Sequence, residues 1–253
     1  MTVTPPPTAV SSASAAISVN DVLLRLSEYQ LLPQFLRESI IDRAIAPITC
    51  TPEETNAAVD QFFGDRHLST EADRQIWLEQ AGITLEHAQA IATRPYRIEK
   101  FKETVLGIKL ESYFLQRSRQ LDKALYSLIR IKDMGIAQEL YFRIESGEQS
   151  FANLAQQFSL GPEANSHGIA GPVELGALHP VLGNLLRASQ PGELHYPIPL
   201  GEWVAIVRLE QFIPVQFDAA VRRRLLEELF DTWLRDQLQY LPVNQQAWLA
   251  QAA

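Results

Sequence analysis

The hydrophobic pattern of this chain changes period twice, at Ala124 and again after Pro214, and those two changes limit the fold more than any other feature of the sequence. Upstream of Ala124, apolar residues recur at helical spacing. Val22, Leu23, Leu26 and Tyr29 follow an Asn20-Asp21 cap, and Phe35, Leu36, Ile40 and Ile41 repeat the pattern within Leu32 to Ile45. Thr51-Pro52-Glu53-Glu54 marks a helix start: Thr at the cap, Pro at the first helical position, Glu at the third closing a capping box, with the helix ending near Gly64. Thr70-Glu71-Ala72-Asp73 opens another through Trp77 and Leu78 to Gly82, and Thr84 starts a short one. A long helix is expected after Pro95, where Tyr96, Phe101, Val105, Ile108 and Phe114 recur until about Leu121.

At Ala124 the pattern shortens. Leu125 to Ile131 is a brief, branched, apolar run flanked by polar residues, which suits a buried strand, and Trp203 to Phe212 is the clearest strand in the chain. Between them the spacing predicts a helix from about Gly135 to Glu145, with Ile136, Leu140 and Ile144 on one stripe. A helix behind Ser150, a Gly/Pro-rich loop around Gly168 and a short helix over Pro180 to Ala188 follow. After Pro214 a helix from Asp218 to about Tyr240 carries Val221, Leu225, Leu229, Trp233 and Leu238 near one face, and is expected to pack back on the first helices. The expected organisation is a tail over 1–18, too poor in large apolar side chains to offset its ordering entropy, a helical domain over 19–123, a sheet-containing module over 124–214 and a C-terminal helical segment over 215–253. The fold class is α+β.

Of the 253 residues 46% are hydrophobic and 21% charged, enough to bury at least one full core. The net charge of -8 works against unspecific binding to nucleic acid or anionic lipid and favours a partner with basic or apolar segments. A single cysteine, Cys50, excludes an internal disulfide framework and a clustered-thiolate zinc site. The five histidines, His67, His87, His167, His179 and His195, show no H-x-x-x-H or H-x-x-H spacing, so neither metal nor cofactor is expected. Arg222-Arg223-Arg224 has Glu227 and Glu228 one turn on and reads as a solvated helical face. The Gly168 to Gly171 loop lacks the Lys-Ser/Thr of a phosphate loop. Three consecutive prolines and no Lys or Arg before Arg25 argue against a secretory signal, and no uncharged apolar run reaches the ~20 residues of a membrane span, so the expected location is cytoplasmic without membrane insertion.

The middle segment carries a recognisable order of motifs. Ser150-Phe151-Ala152-Asn153-Leu154-Ala155-Gln156-Gln157-Phe158-Ser159 is similar to a "G-x-x-F-x-x-L-A-x-x-x-S" helix, and His167-Gly168-Ile169-Ala170-Gly171-Pro172 stands where a "G-G-x-L-G" turn would be. Gln190-Pro191-Gly192-Glu193-Leu194 and Trp203 to Leu209 are similar to a "G-E-x-S-x-P-V" segment and a closing strand. Together these resemble a parvulin-type peptidyl-prolyl isomerase. The wider layout, helices first, this module second and a returning helix last, resembles SurA-type and PrsA-type foldases, whose helical domain cradles client polypeptide. The resemblance implies a small antiparallel sheet with packed helices, and a polypeptide client that is apolar or contains proline.

Turning an X-Pro amide means crossing a resonance barrier of about 18 to 20 kcal/mol without making or breaking a bond. Catalysis then rests on binding the twisted amide better than the planar one. In parvulins the resemblance implies an apolar slot for the prolyl ring, two facing histidines and a nearby Cys or Asp. Laid on this chain, the two histidine positions become Leu128 and Ala205, and the Cys/Asp position falls near Leu160. All three are apolar, and Tyr126 is the nearest polar alternative to the first. The slot is retained in Leu178, Leu182, Leu186 and Trp203, which with Tyr126 form the expected peptide-binding set; no catalytic residue is assigned. The same side chains also serve as plain core in the competing reading. The expected function is a parvulin-class isomerase or foldase with weak or absent turnover. The alternative is a non-catalytic peptide-binding chaperone or adaptor for a dedicated polypeptide, for instance a secreted one.

Overall fold

A computed structural model describes residues 19–242, so the expected tail over 1–18 and the chain beyond residue 242 lie outside the described residues. The chain divides into two compact units. One comprises the described residues up to Leu106 with those from Glu227 on; the other runs from Gly107 to Leu226.

The helical unit begins with α1 (Val19–Glu28), α2 (Leu32–Ile45), α3 (Pro52–Gly64), α4 (Glu71–Ala81) and α5 (Leu85–Phe101). Its starts are written in the caps. The Glu54 amide donates to the Thr51 hydroxyl at 3.3 Å while the Thr51 amide donates back to the Glu54 carboxylate at 2.7 Å, and the Thr70 and Thr84 hydroxyls cap α4 and α5 by accepting from the Asp73 and His87 amides. The helix starting at Thr84 does not stop before Pro95, as the sequence suggests, but continues through it to Phe101. Proline removes one backbone hydrogen bond, yet burial of Ala88, Ala92 and Phe101 along one stripe carries the helix past it. The interruption comes later. A π turn over Lys102–Leu106 and a 3-10 turn over Gly107–Lys109 separate α5 from α6 (Leu110–Leu121). The widened turn buries Lys102 with its ammonium 2.8 Å from Glu99 and 2.7 Å from Glu227, which satisfies a cation that burial would otherwise penalise. The core joins Leu36, Ile40, Ile41, Ile45, Phe101 and Leu106 to Phe230, Leu234 and Leu241. A second cluster packs Phe62, Phe63 and Trp77 edge-on around Ala58, Leu78, Ala88 and Ala92.

The sheet unit contains α6, β1 (Lys123–Ile131), α7 (Met134–Glu145), α8 (Phe151–Phe158), a 3-10 turn at Pro162–Ser166, β2 (Ile169–Glu174), a 3-10 turn at Leu175–Ala177, α9 (Pro180–Ala188), β3 (Leu194–Leu200) and β4 (Trp203–Ile213). The first turns of α10 (Ala219–Gln239), through Leu226, also belong to it. The unit is wider than residues 124–214 because Asp122 ties both flanks down. Its carbonyl accepts from the Leu175 amide at 2.8 Å and its carboxylate from the Val215 amide at 3.0 Å, while Phe114 of α6 packs on Phe217 with centroids 4.8 Å apart. From Glu227 on, α10 supplies Phe230 and Leu234 to the helical core.

All strands pair antiparallel in the order β2-β1-β4-β3. The α+β class, a helical part plus a small antiparallel sheet with packed helices, is the one the pattern implies. β1 and β4 form the centre and were legible as strands; the two edges were not, being short and rich in glycine or proline. Alternation along β1 and β4 makes two cores. Tyr126, Leu128, Ala205, Val207 and Leu209 face α9, whereas Ile129, Ile131, Val204 and Ile206 face α7 and α8 through Ala137, Leu140, Phe151, Leu154 and Ala155. Both edges carry prolines, Pro172 in β2 and Pro197 and Pro199 in β3, which withdraw donors from the exposed ladder. Among the described residues no helix is long and apolar enough to cross a membrane.

The β1–β2 register slips between Ala124 and Tyr126, and Gly171 fills the place opposite with φ of 102°. A β-carbon there would collide with the Ala124 carbonyl oxygen. Gly171→Ala is therefore expected to lower unfolding free energy by at least about 1 kcal/mol, read as a lower urea midpoint at unchanged slope.

Candidate functional site

One side of the sheet opens into a groove of ≈ 470 Å³. Its floor comes from β1, whose period of two sends Tyr126, Leu128 and Arg130 to the same face. The Leu178 to Leu182 segment, entering α9, forms one wall with His179 at the helix cap. The 3-10 turn supplies Pro162, Glu163 and Ser166, β2 supplies Ile169 and Ala170, and Leu200 closes the end of β3. Ser150 caps α8, and Ser159 ends that helix beneath the 3-10 turn.

The polar part of the groove is a fixed ion pair. The Glu163 side chain is only 4% exposed. It accepts from Arg130 Nε at 2.9 Å, from Arg130 Nη2 at 2.5 Å and from the Ser159 hydroxyl at 2.6 Å. The Arg130 amide donates to the Ser159 oxygen at 3.0 Å, and the Leu160 amide to the Arg130 carbonyl at 2.9 Å, so turn and strand are stitched together. Burial alone would raise the Glu163 carboxyl, but the Arg130 and Ser159 donors outweigh it and hold the group below the ordinary carboxylate range. The Glu163 carboxylate in turn raises the Arg130 guanidinium. Gly161 leaves room for this pair, since a β-carbon there would overlap the guanidinium and the carboxylate as they stand.

Tyr126 differs. Burial pushes its phenol up, with the Glu163 charge adding to the effect and Arg130 opposing it, so the hydroxyl stays protonated near neutrality. It is 5% exposed, lines the groove and has no hydrogen-bond partner among the described residues. His179 Nδ1 accepts from the Val181 amide at 3.3 Å, which leaves the ring proton on Nε2. Beside the paired guanidinium, the groove therefore offers a phenol in its floor and an imidazole N–H at its rim, among aliphatic walls.

Of the residues singled out in the sequence, Tyr126, Leu128, Leu178 and Leu182 meet in the groove. Leu186 and Ala205 are fully buried beneath it, Ala205 standing opposite Arg130 on the neighbouring strand. Leu160 is 59% exposed and outside the lining. Trp203 does not line the groove either, because it is the first residue of β4. It pairs with Leu200 at the strand end, and the Lys132 ammonium lies 5.4 Å from its ring centroid. Arg130, Glu163, Ser166 and His179 were not picked out. Arg130 was within reach of sequence reasoning, lying two residues beyond Leu128 on a strand, but nothing local marks Glu163 as a buried carboxylate. Among the described residues no group of three or more His, Cys, Asp or Glu is arranged to hold a metal ion.

Glu163→Gln removes the charge and leaves Arg130 without its anion, so it is expected to cost about 2 kcal/mol at pH 7. The depressed carboxyl contributes stability that is present above its unfolded value of about 4.3 and lost as pH falls through the lower folded value. Denaturant curves from pH 7 to 3 should accordingly show the gap between wild type and variant closing on acidification.

Residues 132–211 match the family model described as Rotamase, PPIC-type PPIASE domain. Among solved structures the chain is similar to a peptidylprolyl isomerase, PrsA, from Bacillus cereus, at 20% identity over 94% of this chain and 88% of that one, with TM-score 0.47. It is also similar to the foldase protein PrsA from Streptococcus pneumoniae, at 15% identity over 96% and 91% with TM-score 0.39. A further similarity is to a SurA-like chaperone of Campylobacter jejuni, at 14% identity over 81% and 94% with TM-score 0.35. No curated protein matches. With its motif order, its small antiparallel sheet and the matched segment in agreement, the middle of this chain is a parvulin-type, PPIC-class peptidyl-prolyl isomerase domain.

Proposed function

We propose that this protein is a parvulin-class foldase that holds extended apolar or proline-containing polypeptide in the groove and turns its X-Pro bonds slowly, with no cofactor. The observation that carries this reading is an aliphatic groove, walled by Leu128, Leu178, Leu182 and Ala170, whose floor presents one unpartnered phenol. Those walls suit a prolyl ring and move the amide out of water. In the planar amide, resonance places negative charge on the acyl oxygen; twisting returns the lone pair to the prolyl nitrogen. A donor reaching the nitrogen stabilises the twisted form, whereas one reaching the oxygen stabilises the planar form and favours holding over turnover.

Leu128 and Ala205 offer no donor, and the charge of Arg130 is paired with Glu163, so the neutral donor in the floor is the Tyr126 phenol. This also supports the second reading, a non-catalytic chaperone or adaptor that keeps one polypeptide in hand. A cytoplasmic site of action belongs to the same proposal, and peptide capture after cell fractionation checks it.

Uncatalysed isomerisation takes tens to hundreds of seconds, which leaves wide room for detection by exchange NMR. At equal concentration, short X-Pro peptides should isomerise far more slowly than with an ordinary parvulin, and Tyr126→Phe should reduce the residual rate several-fold. Leu178→Ala should weaken peptide binding by about 1 to 3 kcal/mol. Rates equal to those of an active parvulin would overturn the slow-turnover reading. Binding with no rate enhancement at all selects the adaptor, and unchanged binding in the Leu178 variant removes the groove from both.

A further inference from the structure

On the side of the sheet opposite the groove, Tyr141 and Phe142 of α7 meet Tyr196 of β3 in a three-ring cluster. Their centroids are 5.2 to 6.5 Å apart and every pair is edge-on, the arrangement in which the rim of one ring meets the face of the next. This is not a core. Phe142 is 55% exposed and Tyr196 48% exposed, so two large aromatic side chains lie open to solvent side by side. An adjoining open hollow of ≈ 580 Å³ is lined by Phe142 with Glu139, Arg143, Glu145, Ser146 and Glu148. Its one cation is already engaged: Arg143 pairs with Glu139 and donates to Gln149. Glu145 is aligned by the Tyr141 hydroxyl at 2.9 Å, and Glu148 is exposed.

We propose that this surface docks a basic, apolar segment of a partner polypeptide, with Arg or Lys side chains laid against Phe142 and Tyr196 and their charge met by Glu145 and Glu148. Charge decides the occupant. Three carboxylates against one arginine leave the hollow negative, and the whole chain carries a net charge of -8, so an acidic segment is repelled while a cation gains both from the carboxylates and from the electron-rich ring faces. A purely apolar segment would leave the carboxylates unused. The sheet unit already seats cations over its own rings, Lys132 over Trp203 and Arg208 over Phe151 at 5.2 Å, which shows the contact geometry the exposed pair offers a partner. This surface is separate from the groove, and its ligand needs no proline.

The test is fluorescence anisotropy of the full chain with a fluorescein-labelled nonapeptide of alternating Leu and Arg, against the same peptide with Glu in place of Arg, at about 0.1 M salt, where exposed charges are screened beyond about 10 Å. The basic peptide should bind at least tenfold more tightly than the acidic one. Phe142→Ser and Tyr196→Ser should each weaken it fivefold or more, and Glu145→Gln with Glu148→Gln should weaken it threefold or more. Because all four surface positions are exposed, thermal melts matching wild type are expected, and the Glu148→Gln variant keeps the test valid if a ring variant unfolds. Equal binding of the two peptides overturns the proposal. So does basic-peptide binding that falls with Leu178→Ala and ignores the surface variants, an outcome that leaves the groove reading intact.

Discussion

The ladder between Lys123–Ile131 and Trp203–Ile213 is the interaction on which the sheet unit depends. Side chains alternate faces along a strand, so this one register decides that Tyr126, Leu128 and Arg130 look into the groove and that Ile129 and Ile131 look away. A slip of one residue would present Ser127 and Ile129 to the groove and drive the arginine into an aliphatic core. The irregularity between Leu125 and Tyr126 helps to pin the register. Because the two strands are far apart in sequence, the loop must close before the ladder gains anything, a cost that grows only slowly with length but delays folding. α7, α8 and α9 fill that interval, and each buries its apolar stripe on one face of the sheet as it forms.

The Arg130–Glu163 pair is the second dependence. It lies where the 3-10 turn crosses β1, and the Ser159 hydroxyl bridges the two by accepting from the strand amide and donating to the carboxylate. A buried pair of this kind is weak evidence for stability, since desolvation offsets much of the attraction. Its effect here is positional: it fixes one wall of the groove relative to the floor. It also pairs the arginine's charge, so that the Tyr126 phenol, the His179 imidazole and the aliphatic walls form the main recognition surface.

How much of this was readable in the sequence can be judged element by element. Thr51, Thr70, Thr84 and Ser150 announced their helices because cap chemistry is local, and Trp203 to Phe212 announced its strand because it is buried on both faces. The prolonged α5 and the π turn at Lys102 were not readable, because a buried ammonium answered by Glu99 and by Glu227 is a long-range fact. β2 and β3 were missed for the related reason that edge strands are made by the partner they pair with more than by their own composition. In the site, motif order located Tyr126, Leu128, Leu178 and Leu182. Trp203, singled out with them, begins its strand and stands outside the groove lining, a placement that its position in a motif does not state. Glu163 was silent, since a carboxylate in a loop carries no mark of burial until Arg130 and Ser159 are folded against it.

Pro172, Pro197 and Pro199 have a consequence beyond finishing a sheet. In the proposed foldase role the protein would meet strand-forming segments at high local concentration, and an open β-edge would recruit them by main-chain hydrogen bonding, which every polypeptide can offer. Edges short of donors refuse that invitation. A client held in that role would then be held by side chains, and its release would not have to dismantle a shared sheet.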